Sequence, residues 1–357
     1  MSEESQYGKL IVLTGAGASA ALGLPTMKTF PRLFEGPGSA LNSLCGGMAW
    51  EEQGGDVEFI YDRLQLYIEV FKARECDANL QRVLHDEEYY SLSEEATTGL
   101  AELQTLMLRN WGRVDENNTP PGSLEAYGDF LVALTALADG PLSVFTTNYD
   151  LTYESLPQFP TESVQNGLRP PGYGLDRVWD ASQYGNFDIS LADLVIYRLH
   201  GCSHWFRDER RGSIVYQAFP TLVAGAVRPM VVWPSHGKTD AMLTDVFNVA
   251  YRALRQALAR ADVVAIVGYS FRDIGITEAV GSARPGTYFV VVDPELDKGY
   301  IRTKLDGRQF TQVKGCFGVP AVNNAALDAC RMALAHEAQE QVVERDDFIP
   351  SPWEDEE

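Results

Sequence analysis

At 357 residues the chain is long enough for one large domain or two modest ones, and 45% hydrophobic with 22% charged residues exclude a wholly disordered or fibrous protein. Lys and Arg number 29 against 50 Asp and Glu, a formal charge of -21, and a field of that sign argues against sequence-independent binding of DNA or RNA as the main activity. The opening MSEESQYGK is acidic without an apolar core, and no run of about 18 apolar residues follows, so the expectation is a cytoplasmic protein with neither signal peptide nor membrane span.

The run Lys9 to Thr14 reads as a strand and ends in Gly15-Ala16-Gly17-Ala18-Ser19, where small residues open a helix before Gly23 and Pro25. After a loop around Pro37, Gly46 and Gly54, Val57, Ile60, Leu64, Tyr67 and Phe71 share one helical face. Leu92 to Asn110 is helix-forming, and Leu124, Tyr127, Leu131 and Leu134 form a second stripe. Nothing from 38 to 138 alternates with period two, so this segment is expected to be a helical insertion. Strand-like runs return at Leu142 to Thr146, Leu194 to Leu199, Met230 to Trp233, Asp262 to Gly268 and Tyr288 to Asp293. Leu243, Val246, Phe247, Ala250, Leu254 and Leu258 mark a helix before one of them, and Ala321 to Glu340 another near the end. Strands alternating with helices predict an α/β protein: a Rossmann-like parallel sheet from 1–37 and 139–340, the insertion 38–138, and an acidic tail 341–357 carrying Trp353.

Cys45, Cys76, Cys202, Cys316 and Cys330 form no C-x-x-C pair and no metal spacing with histidine, so no structural zinc is expected and buried thiols are the plain reading. Gly15 to Ala20 fits G-x-G-x-x-A, in which glycines bring backbone N–H groups close to a diphosphate. A dehydrogenase continues into a second strand ending in Asp or Glu; here Pro25 and Pro31 interrupt the path and Glu35 follows no strand-like run. The motif therefore speaks for a dinucleotide more clearly than for hydride transfer. Further polar clusters stand at strand ends: Thr146-Thr147-Asn148-Tyr149-Asp150, His200-Gly201, Gly268-Tyr269-Ser270-Phe271-Arg272-Asp273 and Val292-Asp293. Carboxyl ends of parallel strands line one crevice, so these clusters are expected to converge. Plainer roles stand beside this: Asn148 and Asp150 as an Asx turn, Asp273 as a helix cap. Ser235, His236 and Lys238 are placed at the border of the pocket, while His85, His204 and His336 have no supporting pattern.

The order GAGAS with GLP, TTNYD, LHG, GYS and VVDP, over about residues 9 to 295, resembles the sirtuin family. The resemblance implies NAD+ as a substrate; the expectation of no metal comes from the cysteine spacing. It implies catalytic roles for His200, Asn148 and Asp150, and contacts to NAD+ from Gly15, Ala16, Gly17, Ser19, Thr147, Gly268, Ser270 and Asp293. Departures narrow it. Sirtuin deacylases carry a zinc module with two cysteine pairs after H-G, where this chain has Cys202 alone; their G-I-P-D-F-R is Gly23-Leu24-Pro25-Thr26-Met27-Lys28; the glutamine of their Q-N-x-D is Thr147. The G-Y-S-F-x-D form and the insertion look like the sirtuin-like NAD-hydrolysing modules of bacterial antiphage defence. What this implies is an NAD+ glycohydrolase, a homo-oligomer regulated by a HerA-type ATPase or, second, a short Argonaute. An NAD-dependent protein deacylase and a non-catalytic sensor of NAD+ or ADP-ribose stay open as alternatives.

Overall fold

The computed structural model describes residues 9–30, 56–77, 87–111, 119–138, 140–169, 177–184, 192–210, 212–216, 227–234 and 245–335. The expected loop around Pro37, Gly46 and Gly54, the expected pocket border Ser235, His236 and Lys238, and the tail 341–357 lie outside these residues. The strands are Leu10–Thr14 (β1), Leu142–Thr146 (β2), Val164–Gln165 (β3), Leu194–Arg198 (β4), Gly201–Asp208 (β5), Ser213–Tyr216 (β6), Val227–Val231 (β7), Val263–Val267 (β8), Tyr288–Val292 (β9) and Phe310–Val313 (β10). The helices are Ala16–Ala20 (α1), Val57–Cys76 (α2), Glu87–Asn110 (α3), Ser123–Thr135 (α4), Asp245–Leu258 (α5), Ile274–Gly281 (α6), Lys298–Lys304 (α7) and Pro320–Leu334 (α8).

Seven strands form a Rossmann-like sheet in the order β10-β9-β8-β1-β2-β4-β3, with every pairing parallel. The apolar runs LIVLT and VVAIV are buried along their whole length because both faces are covered. Ile11 and Leu13 pack on one face with Leu254 of α5 and Ile276 of α6; Leu10 and Val12 pack on the other with Tyr127 and Leu131 of α4 and Val322 of α8. Each such aliphatic side chain contributes about 1.5–3 kcal/mol by its burial, so stability concentrates in these layers and the strand ends are left to loops.

The run Met230 to Trp233, expected to join the parallel sheet, does not. It overlaps β7, which pairs antiparallel with β5 in a separate sheet of order β6-β5-β7. The turn after β4 decides this: Gly201 adopts φ +82°, and a Cβ there would collide with the Met230 carbonyl oxygen. An apolar run says that a strand is covered, not which sheet covers it. Helix α2 starts at Asp56, whose carboxylate accepts from the Glu58 and Phe59 N–H groups. Val57, Ile60, Tyr61 and Leu64 then pack against Ala96, Leu103 and Met107 of α3, together with Phe30, Trp111 and Tyr149. Of the expected α2 face, Tyr67 is exposed and Phe71 half-buried, so only its first two turns are covered.

Candidate active site

Five strands adjacent in the sheet, β9, β8, β1, β2 and β4, deliver their carboxyl ends to one edge. Every residue singled out from the sequence for catalysis or for binding NAD+ lines one cavity of about 700 Å³ at that edge, a volume in the range of small-molecule sites. Glu58 of α2, Trp111 after α3, and Lys28, Arg272 and Asp273 line it as well.

The floor is made by two glycine turns pressed together. The Gly15 N–H donates to the Val267 carbonyl and the Gly17 N–H to the Gly268 carbonyl, both at 3.0 Å. A Cβ on Gly15 would stand 2.6 Å from the Gly268 oxygen, and one on Gly17 2.8 Å from Gly268 Cα. Gly268 itself sits at φ +58° against the Gly17 and Ala18 backbone. Each glycine therefore has a chain-to-chain reason to be glycine, in addition to any approach it allows a ligand.

The wall after β2 is a hydrogen-bonded chain. Asn148 Nδ2 donates to Ser19 Oγ at 2.9 Å, and Ser19 Oγ donates to Asp150 Oδ2 at 2.9 Å. Asp150 Oδ1 accepts the Thr152 N–H, the expected Asx turn, so this carboxylate serves the turn and the wall together. Arg198, fully buried at the end of β4, donates to the Asp150 carbonyl at 2.7 Å and to both oxygens of Glu154 at 2.7 and 2.8 Å. Burial pushes the Glu154 carboxyl up, and the Arg198 charge with its hydrogen bonds more than reverses this, holding it below the usual carboxylate range.

His200 is buried just beyond β4, its Nε2 3.0 Å from Asp273 Oδ2. Asp273 does cap α6, as its position predicts, through Oδ1 and the Ile276 N–H at 3.0 Å; the pairing with His200 uses its other oxygen. Sequence reasoning passed over that partnership because the two residues are 73 positions apart. Beside it Arg272 is ion-paired with Asp56 and lies 3.8 Å from Glu58, which ties the turn after β8 to the start of α2. Phe271, just before Arg272, holds φ +57°, a left-handed backbone that is uncommon for a bulky residue.

Asp293 accepts the Glu295 and Leu296 N–H groups through Oδ1; burial raises its carboxyl pKa, and those two hydrogen bonds counter part of the rise. Ser270 is exposed at the rim, its carbonyl accepting from the Tyr300 hydroxyl. Thr147 is held at the end of β1, its Oγ1 donating to the Thr14 carbonyl at 3.3 Å. Cys202 lies buried in a separate apolar cluster, with its thiol pushed up to about 11 by burial, so it stays protonated and is no nucleophile near neutral pH. His204 faces Tyr216 and the Ser203 hydroxyl, away from the residues of the cavity wall. Among the described residues no group of three or more His, Cys, Asp or Glu stands together to hold a metal ion, and no helix is long and apolar enough to cross a membrane.

No protein-family model matches the chain, and no curated relative matches it. Among solved structures it is similar to an ADP-ribose complex of a variant Sir2 homologue, at 16% identity and a TM-score of 0.44 over 92% of this chain and 95% of that one. It is also similar to a Sir2 homologue–NAD complex, at 16% identity and a TM-score of 0.42 over 92% of both chains. At that distance the likeness transfers neither a ligand nor a residue role.

Proposed function

We propose that the chain hydrolyses NAD+ at the bond between nicotinamide and ribose, releasing nicotinamide and ADP-ribose. The observation that carries this reading is the convergence, on one cavity at the carboxyl edge of a parallel sheet, of the Ser19–Asn148–Asp150 chain with a buried histidine–carboxylate pair. The nicotinamide departs with the electron pair of the broken C–N bond, which neutralises its ring, so the leaving group needs no general acid, unlike that of an ordinary glycoside. Water adds to the ribose carbon and its proton passes to His200. Asn148 orients the ribose and the water, and Asp150 favours the cationic transition state. The diphosphate lies over the Gly15–Ser19 and Gly268–Ser270 turns, and Asp293 takes the hydroxyls of the adenosine ribose.

The changed Thr26-Met27-Lys28 segment, which lines the cavity, favours hydrolysis over deacylation. The motif resemblance supports the biological setting: depletion of NAD+ in bacterial antiphage defence, by a homo-oligomer under the control of a partner such as a HerA-type ATPase. The test incubates the purified chain, alone and with that ATPase, with NAD+ and with or without an acylated peptide. Release of nicotinamide from NAD+ alone is the expected result, falling about 10²- to 10⁴-fold in His200→Ala while ADP-ribose binding survives. Release only with the peptide makes the protein a deacylase; binding without release under every condition makes it a sensor.

A further inference from the structure

We propose that Asp273 is the positioning residue of the site, a carboxylate that sets the tautomer and charge preference of His200 and, by capping α6 with its second oxygen, fixes the imidazole to a rigid element. The inference rests on the proposed role of His200 as the base and deepens it.

The two side chains are almost fully buried, 5% and 4% exposed, and meet at 3.0 Å. A carboxylate accepts, so the nitrogen facing it carries the proton: Nε2 is the N–H, and Nδ1 holds the lone pair that takes a proton. When Nδ1 is protonated, the positive ring gains a buried counter-ion that is already in place. Tyr149, Tyr251 and Tyr269 stand around the pair, and burial pushes each phenol up first; the Asp273 charge follows for Tyr251 and Tyr269, while for Tyr149 the charges of Glu58 and Tyr61 come before it, so all three stay neutral. Charged groups lining the same cavity include Glu58, which also bears on Tyr149, and Arg272, which is engaged with Asp56. Oδ1 of Asp273, bonded to the Ile276 N–H, stops the carboxylate from rotating away, and the Tyr269 hydroxyl donates to the Asp273 carbonyl at 3.4 Å. A residue present only to cap α6 would need one oxygen and no histidine.

Capping and positioning separate cleanly by substitution, because Asn and Ser are both good N-caps. In Asp273→Asn the amide oxygen keeps the Ile276 bond while an NH₂ faces His200, which favours the other tautomer; Asp273→Ser keeps a cap and offers no reach to the ring. Both variants are expected to melt within a few degrees of the wild type. Both are expected to lose about 10²- to 10⁴-fold in kcat for NAD+ cleavage with KM little changed, and the acid limb of any remaining rate profile should move to lower pH. In ¹⁵N-histidine spectra of the full chain, His200 should carry its proton on Nε2 in the wild type and on Nδ1 in Asp273→Asn. Wild-type turnover in both variants, or an unchanged His200 tautomer in Asp273→Asn, overturns the proposal. The spectra do not depend on turnover: the expected tautomer change in a chain that never cleaves NAD+ would keep the pair and discard the hydrolase reading.

Discussion

Arg198 is fully buried and still charged, which is tolerable because Glu154 meets it with both oxygens and the Asp150 carbonyl takes a further N–H. The same guanidinium therefore pins the turn that carries Asn148 and Asp150. In Glu154→Gln the arginine keeps its charge but loses its ion-paired partner, with only the more distant Asp150 carboxylate remaining; breaking a buried pair costs about 3–5 kcal/mol, and the 18% exposure of the Glu154 side chain puts the expectation at the lower end. Because the folded-state pKa of Glu154 is depressed, its contribution is present above the unfolded value of about 4.3 and is lost as pH falls through the folded value. Urea titrations of wild type and variant should thus differ by a constant amount from pH 7 to about 5 and converge below about 4.3. Curves that coincide at pH 7 would mean the pair stabilises nothing. Neither this pair nor His200–Asp273 was legible in the sequence, since no local pattern tells which partner a buried polar side chain will meet across the sheet. What was legible was the set of polar residues standing just past the strands.

At the scale of elements, the closest contacts between the turns after β1 and β8 are backbone on backbone, with the Tyr269 ring beside them. Gly268→Ala places a Cβ against the Gly17 and Ala18 backbone and a methyl-bearing residue at φ +58°, so the two turns must part. A loss of more than about 1 kcal/mol in stability is expected, with a larger proportional loss of ADP-ribose binding than in a surface control such as Gly286→Ala, where φ is also positive but the space is open. Equal effects at the two sites would show that backbone strain alone, and not the turn-to-turn fit, matters at Gly268. The long apolar strands could be placed from sequence because burial on both faces leaves a continuous hydrophobic run. The strand Phe310–Val313 could not, for at the sheet edge three of its four residues are only half-buried. The antiparallel sheet escaped for a different reason: its chain reversal is set by Gly201 and its contact with Met230, a relation between distant segments. The stripe on α4 announced a buried face, but only the fold shows that the face lies on the main sheet.

At the scale of the molecule, the cavity is walled by two bodies: the sheet edge, and the α2–α3 pair through Glu58 and Trp111. The junction is substantial. Trp111 stacks 5.1 Å from Tyr149 and lies tilted 4.6 Å from Phe30, its indole N–H donates to the Pro25 carbonyl at 2.8 Å, and Arg272 holds Asp56 at the start of α2. A ligand in the cavity therefore touches both bodies, and by linkage it stabilises whatever arrangement it binds, by about 2.7 kcal/mol at a hundredfold excess over Kd. Hydrogen exchange of the full chain with saturating ADP-ribose should show added protection in Val57–Leu64 and Leu103–Trp111 as well as in the turns 15–21, 147–150 and 268–273. In Arg272→Ala the turns should keep their added protection while the gain in α2 and α3 shrinks, because the ion pair that joins the sheet edge of the cavity to the helices is gone. Protection confined to the turns in the wild type would make the helical pair a passive wall. Protection in both bodies that survives Arg272→Ala would assign the coupling to the aromatic contact of Trp111 with Tyr149 instead.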